Sequence, residues 1–204
     1  MYPILNWIIL LIGGSSGTGK STLAPIIANQ YKAELARVDD FRMALQSVTK
    51  PESHPELHFF INSPGIPKLE IWKQPPDVLC EALIKIGKLV SSALEVVIDH
   101  HVNTRNRLVL EGDGIIPDMV SKMVHKYNEK LRSVFLFEPD KEFFFNKDIS
   151  EEANNSLYQE KMTVRMMHWL YSKWLVKEAR ERDLPIVQSR PWETLYDRVL
   201  STIE

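Results

Sequence analysis

The chain has 204 residues, of which 44% are hydrophobic and 25% are charged. This length and composition favour one globular domain with a full hydrophobic core and exclude a largely disordered protein. The formal net charge of −2 excludes an overall basic field that would attract nucleic acid or an anionic membrane, and the single cysteine, Cys80, excludes an internal disulfide and a cysteine-based metal cluster. We therefore expect a cytoplasmic protein, present as a monomer or a homodimer.

The first predicted elements are a strand and a helix. Residues 8–12 are a short, β-branched apolar run that ends in glycine, which predicts a central parallel strand. No basic segment precedes this run, so it does not resemble a signal peptide. A helix is predicted from residue 20 to about residue 32. No segment approaches the roughly 18 uninterrupted apolar residues of a membrane-spanning helix, so we expect a soluble protein.

The middle of the chain combines weak and strong patterns. Residues 33–38 give a weak second strand, and the sequence DDFRMALQS predicts a helix with aspartate near its N-cap. The proline-rich residues from 50 to about 76 predict an irregular insert on the acceptor side of the domain. A long core-facing helix is predicted from residue 77 to about 101, with one face formed by Val78, Ala82, Ile86, Leu89, Ala93 and Val97, and with Leu79, Leu83, Val90 and Leu94 beside it.

Three further strands are predicted at residues 107–112, 133–138 and 184–189, each separated from the next by helical sequence. A long helix before the last strand is marked by Tyr158, Met162, Met166, Trp169 and Val176, and a closing helix covers residues 192–203. This alternation predicts a doubly wound α/β fold with a five-stranded parallel sheet between two layers of helices. Ligands should then bind at the C-terminal ends of the strands.

A glycine-rich loop lies between the first strand and the first helix. Gly14, Gly19, Lys20 and Ser21 match the phosphate-binding pattern G-x-x-x-x-G-K-[ST], in which Lys20 reaches the β- and γ-phosphates of ATP and Ser21 binds Mg²⁺. The alternative is an ordinary flexible turn. We expect the whole loop to bind ATP, through Gly14, Ser15, Ser16, Gly17, Thr18, Gly19, Lys20, Ser21 and Thr22.

Carboxylates follow the second and third predicted strands. Asp39 and Asp40 follow the second strand, and Glu111 and Asp113 follow the third, so both pairs should lie at the edge of the sheet that carries the glycine loop. Asp39 is the candidate for orienting the acceptor and for contacting the metal, and Glu111 is the candidate for holding the metal or its water. The alternatives are that the two aspartates cap a helix and that Glu111 lies in a solvated turn.

Three arginines are candidate phosphate or nucleotide ligands. Arg42 shares a helical face with Asp39 and could bind an anionic acceptor, although an exposed salt bridge is the alternative. Arg165, on the long helix before the last strand, could meet a phosphate. Arg190, in the sequence SRPW, could stack on adenine. Any of these could instead be a solvated charge.

Three sequence blocks carry a family resemblance: GGSSGTGKSTLA, VDDFRMAL and LVLEGDGIIPDMV. They resemble blocks of the 2-phosphoglycerate kinase family and its bacterial AAA-like relatives, within the P-loop small-molecule kinases. The resemblance implies a strand order of 2-3-1-4-5, substrate binding by Asp39, Arg42 and Gly112, and a catalytic role for Arg165 in KMTVRMMHWL. The family also has a phosphate-closing lid, which here corresponds to residues 139–160. This chain has no arginine from residue 133 to residue 164, so the lid is altered or absent.

The leading hypothesis is a Mg²⁺- and ATP-dependent kinase acting on a small anionic or hydroxylated metabolite, with no nucleic-acid or membrane partner. The alternative is an ATP-binding regulatory module with slow ATPase activity and a protein partner. A GTPase switch is disfavoured because NKDI at residues 146–149 does not match N-K-x-D. A kinase for nucleic-acid 5′ ends is disfavoured because the chain has no basic stripe.

Overall fold

A five-stranded parallel sheet forms the centre of the molecule, in the order β2-β3-β1-β4-β5. The structure is a computed structural model that describes residues 7–62, 65, 68–146 and 156–203. The predicted fold class and strand order are confirmed. The strands are β1 (Ile9–Gly14), β2 (Glu34–Arg37), β3 (Leu108–Gly112), β4 (Leu131–Phe137) and β5 (Ile186–Gln188).

Eight α-helices connect and cover the described strands. Short 3-10 turns lie at Lys68–Lys73, Asn128–Lys130 and Trp192–Thr194, the last in place of the first turn of the predicted closing helix. Within the described residues, no helix is both long enough and apolar enough to cross a membrane. The helices are α1 (Lys20–Tyr31), α2 (Val38–Val48), α3 (Phe59–Asn62), α4 (Pro76–Thr104), α5 (Pro117–Tyr127), α6 (Lys141–Asn146), α7 (Ser156–Arg180) and α8 (Leu195–Ile203).

Strand β1 separates two hydrophobic clusters. Its side chains alternate between the faces of the sheet, so Ile9 and Leu11 pack with α4, α5 and α7, whereas Leu10 and Ile12 pack with α1 and α8. All six residues of β1 are buried. The apolar run at the start of the sequence is therefore the middle layer of a three-layer sandwich, as a strand buried on both faces requires.

The register of the sheet sets the position of the site. Ile12 of β1 pairs with Glu111 of β3, and Gly14 pairs with Leu136 of β4. Both β1 and β3 end at the glycine loop, so Glu111 is brought beside that loop by backbone pairing alone.

The buried face of α4 differs from the predicted one. Val78 is 38% exposed and Leu89 is 40% exposed, although both were placed on the core-facing side. The buried row is rotated because α4 packs against α7 as well as against the sheet. Helix α7 covers the long helix predicted before the last strand, and its buried side chains include Met167, Tyr171 and Leu175, whereas Met162 and Met166 are half-buried. The buried row of α4 consists of Leu79, Leu83, Ile86, Val90, Leu94 and Ile98.

The described part of the proline-rich insert contains more regular structure than its sequence predicts. It contains α3 and a 3-10 turn, and Leu57 and Ile71 are buried in the hydrophobic core. Phe60 stacks on Trp72 with ring centroids 5.3 Å apart. Apolar side chains between the prolines thus fasten this part of the chain to the domain. The predicted lid, residues 139–160, lies partly outside the described residues, which here include α6 and the start of α7.

Candidate functional site

The glycine loop between β1 and α1 is braced by its own side chains and by the neighbouring strands. Thr18 Oγ1 donates a 2.8 Å hydrogen bond to the Ser15 carbonyl, and Ser189 Oγ donates a 3.1 Å hydrogen bond to the Thr18 carbonyl. A Cβ atom at Gly19, where φ is +87°, would lie 2.4 Å from the Trp192 ring. Glycine at this position is therefore required by both backbone conformation and space, and the loop has a fixed shape.

Lys20 is buried at the start of α1. Its Nζ donates a 2.8 Å hydrogen bond to the Ser15 carbonyl, so the ammonium group folds back over the loop. Burial lowers the pKa of Lys20, and the carboxylates of Asp113, Glu111 and Asp39 oppose this shift, in that order of size. The ammonium group is therefore surrounded by negative charge but makes its hydrogen bond to a neutral carbonyl.

A hydroxyl group and a carboxylate lie side by side next to the loop. Ser21 Oγ donates a 3.0 Å hydrogen bond to Glu111 Oε1, and Arg37 Nε lies 3.6 Å from the same oxygen. Glu111 is only 4% exposed, so it does not lie in the solvated turn considered from the sequence. Strand pairing and this hydrogen bond fix the carboxylate against the first turn of α1.

The loop opens into a cavity of about 510 Å³ at the C-terminal edge of the sheet. Residues of the glycine loop and the first turn of α1 form its floor. The lining residues at or after β2 and β3, on one side of β1 in the sheet, are Arg37, Asp39, Glu111, Gly112 and Asp113, and those after β5, on the other side of β1, are Trp192, Leu195 and Tyr196. The cavity thus has a charged end and an aromatic end, with the glycine loop between them.

Asp39 and Arg42 form an ion pair at the start of α2. Arg42 Nη2 lies 2.9 Å from Asp39 Oδ1, and the Asp39 side chain is 60% exposed. Arg37 occupies the N-cap position, without a side-chain capping bond, so Asp39 and Asp40 lie in the first helical turn and do not cap the helix as their alternative reading proposed. Asp39 lines the cavity, whereas Asp40 and Arg42 are not among its lining residues.

Arg165 and Arg190 are not among the residues that line the cavity. Arg165 Nη1 donates a 2.9 Å hydrogen bond to the Phe145 carbonyl, which joins α7 to α6. Arg190 Nε donates a 2.8 Å hydrogen bond to buried Glu138, and its guanidinium lies 5.5 Å from the centre of the Trp192 ring. Their roles toward phosphate and adenine stay predictions. Trp192 is the neighbour of Arg190 that reaches the cavity.

Sequence reasoning assigned no role to three residues at or next to the site. Asp113 and Trp192 line the cavity, and His168 of α7 lies against the glycine loop, where its carbonyl accepts a 2.9 Å hydrogen bond from Ser15 Oγ. Burial lowers the pKa of His168. A signal for Asp113 was present, since it follows Glu111 by two residues between two glycines. The contact with His168 spans 153 residues of chain and leaves no local signal.

Comparison with known proteins gives two relatives and a common fold. No family model matches the chain. Proteins named 2-phosphoglycerate kinase from Methanopyrus kandleri and Methanothermobacter thermautotrophicus are 25% and 23% identical, over alignments that cover 96% of this chain. The chain spans only 60% and 65% of the length of these curated relatives. A shikimate kinase from Acinetobacter baumannii, solved in complex with shikimate, superposes with a TM-score of 0.52 at 14% identity, covering 97% of this chain and 95% of that one.

The chain has a P-loop kinase fold. A fold of this kind implies a bound magnesium ion, and the side chains around the glycine loop suit that ion. Ser21 and Glu111, which are hydrogen-bonded to each other, would supply hard oxygen ligands, and Asp39 lines the same cavity. Among the described residues, no group of three or more histidine, cysteine and acidic side chains could hold a metal alone. Such a site is what Mg²⁺ requires when substrate phosphates and water complete its coordination.

Proposed function

We propose that this protein is a kinase that transfers the γ-phosphoryl group of ATP to a small metabolite. The observation that carries the proposal is the meeting of three features in one cavity of about 510 Å³. These features are a buried lysine on the glycine loop, a serine hydrogen-bonded to a buried carboxylate, and two further aspartates at adjacent strand ends. Phosphoryl transfer requires this combination of cation, metal ligands and acceptor-facing carboxylate.

The chain's own residues act mainly by positioning and by charge. Backbone N–H groups of residues 14–21 hold the phosphates, and the N-terminus of α1 adds a favourable dipole. Lys20 leaves the Ser15 carbonyl to bind the β- and γ-phosphates and offsets the negative charge that develops during transfer. Ser21 and Glu111, with Asp39 nearby, would hold Mg²⁺, which when bound neutralises phosphate charge. The aromatic end of the cavity receives the nucleotide base.

The acceptor enters at the charged end, between the start of α2 and the end of β3. Arg37, Asp39 and Gly112 line this end, and Arg42 supports it through its ion pair with Asp39. A guanidinium beside a carboxylate suits a metabolite that carries both an anionic group and a hydroxyl group. The relatives named 2-phosphoglycerate kinase support the same class, so 2-phosphoglycerate belongs in the first panel of acceptors tested.

The test is ADP production from ATP and Mg²⁺ in the presence of hydroxy acids and phosphorylated hydroxy acids, with product detection by mass spectrometry. We expect at least one acceptor to stimulate turnover and to gain one phosphoryl group. Lys20→Met should abolish this transfer, and Lys88→Met, an exposed change on α4, should not. Equal transfer by Lys20→Met and wild type would contradict the proposal. Hydrolysis that no metabolite stimulates, and that rises only when a partner protein is added, would favour the regulatory alternative.

A further inference from the structure

The segment Gly112-Asp113-Gly114 packs tightly on Val38, the residue before Asp39. A Cβ atom at position 112 would lie 2.6 Å from Val38 Cβ, and one at position 114 would lie 2.7 Å from Val38 Cγ1. Only glycine on both sides of Asp113 permits this approach. As a result, the end of β3 and the start of α2 are fixed against each other, and Asp39 and Asp113 line the same cavity.

The backbone of Asp113 is also fixed from α7. Tyr171 Oη donates a short hydrogen bond to the Asp113 carbonyl, and Tyr171 is completely buried. Contacts with two separate helices, α2 and α7, therefore fix the backbone position from which the Asp113 side chain projects. A side chain on such a rigid support can orient a ligand with little further loss of conformational freedom.

The two aspartates have different surroundings. The Asp39 carboxylate is 60% exposed and is already paired with Arg42 at 2.9 Å. Asp113 is half-buried, and the structure gives its carboxylate no hydrogen-bond or ion-pair partner among the residues it describes. Of the three carboxylates that raise the pKa of Lys20, Asp113 raises it most. Lys20 is the residue proposed above to bind the γ-phosphate. A half-buried carboxylate without a partner lacks a hydrogen bond, and the hydroxyl group of an acceptor bound in the cavity would supply it.

We propose that Asp113 is the carboxylate that binds the acceptor hydroxyl group and orients it toward the γ-phosphorus. This inference rests on the proposed kinase function, and it assigns to Asp113 the role that sequence reasoning predicted for Asp39. Asp39, neutralised by Arg42, then forms the outer wall of the acceptor site. The acceptor is accordingly a hydroxylated metabolite whose reacting hydroxyl lies on the Asp113 side of the cavity.

The acceptor hydroxyl oxygen forms a bond to the γ-phosphorus while the bond from that phosphorus to the β,γ-bridging oxygen breaks. The bridging oxygen keeps the electron pair, so ADP leaves. The hydroxyl proton passes along its hydrogen bond to the Asp113 carboxylate and from there to solvent. When water is the acceptor, the same step yields inorganic phosphate.

The test compares Asp113→Asn with Asp39→Asn, and with Asp118→Asn on the exposed surface of α5 as a matched control. Two reactions are measured: phosphoryl transfer to 2-phosphoglycerate or the best acceptor of the panel, and slow hydrolysis with water as acceptor. Calorimetry gives the Mg·ATP dissociation constant of each variant. Asp113→Ser is a second variant in case the asparagine change impairs folding, and a thermal melt checks each protein.

We expect Asp113→Asn to lower kcat for both reactions by roughly a hundredfold, because the nucleophile loses its orienting partner. Its Mg·ATP dissociation constant and its magnesium requirement should stay within about threefold of wild type, and Asp39→Asn should lower kcat by less than Asp113→Asn does. A hundredfold loss in Asp39→Asn with kcat retained in Asp113→Asn would overturn the inference. A raised magnesium requirement in Asp113→Asn would overturn it too, by making Asp113 a metal ligand. If wild type transfers phosphate to no metabolite, the kinase function fails, and the water reaction still tests Asp113.

Discussion

Replacing Gly114 with alanine tests the packing that holds Asp113 in place. The new Cβ would lie 2.7 Å from Val38 Cγ1 and 3.8 Å from Val38 Cβ, and among the described residues beyond its two chain neighbours it would meet no other atom within 4 Å. Normal contact between two carbon atoms needs roughly 3.5–4.0 Å, so one of the two segments must move by about 1 Å. Overpacking of this kind lowers the free energy of unfolding by about 1–3 kcal/mol. For a chain of this length the melting temperature should fall by about 2–4 °C for each kcal/mol.

The clash involves a single methyl group, which allows a double-mutant cycle. Val38→Ala removes Cγ1 and by itself costs roughly 1–3 kcal/mol, since Val38 is buried. In the double variant the alanine at position 114 no longer meets Cγ1. The loss of unfolding free energy in the double variant should therefore be smaller than the sum of the two single losses by about 1–2 kcal/mol. Urea denaturation followed by circular dichroism measures all four proteins. If the loss in the double variant equals the sum of the two single losses within about 0.5 kcal/mol, the proposed contact is refuted.

Three further predictions concern the loop and the two ends of the cavity. Ser21→Ala and Glu111→Gln should each raise the magnesium concentration needed for half-maximal activity, measured by titration at saturating ATP. The first change removes an oxygen ligand, and the second replaces a charged carboxylate by a neutral amide; an unchanged requirement in both would argue against this metal site. Trp192→Ala should weaken ATP binding by roughly tenfold in calorimetry, since it removes the aromatic surface beside the loop, and unaltered affinity would place the base elsewhere. Burial lowers the pKa of His168 in the folded state, so its stabilising contribution is complete above about pH 6.5 and is lost as the pH falls through the lower folded-state pKa. His168→Gln should therefore flatten the acid side of a plot of melting temperature against pH, and an unchanged slope would contradict this.

Local sequence patterns predicted the sheet and the glycine loop well. The apolar run before Gly14 and the carboxylates after β3 are features of a few adjacent residues, and a parallel sheet brings such strand ends together whatever the rest of the chain does. Strand order came from the family resemblance, since alternation of strands and helices does not determine which strands are neighbours. The central position of β1, between β3 and β4, confirms that order.

The parts that sequence reasoning missed depend on long-range packing. Val78 and Leu89 fit an apolar stripe, but the true stripe of α4 is set by where α7 lies against it. In the described part of the insert, Ile71 is buried in the core, a long-range contact that the local proline-rich pattern does not predict. Sequence reasoning gave the acceptor role to Asp39 and no role to Asp113, because the packing of Asp113 against α2 and α7 leaves no local signal. Burial and the ion pair with Arg42 distinguish the two carboxylates.

The central claim is that the glycine loop binds the phosphates of a nucleoside triphosphate with magnesium. Isothermal titration of the folded protein with a non-hydrolysable ATP analogue and Mg²⁺ tests it most directly. We predict saturable binding with one site per chain, weakened at least about tenfold by Lys20→Met, because the lysine is the cation that faces the β- and γ-phosphates. Absence of binding by wild type, or equal affinity in Lys20→Met, would contradict the claim.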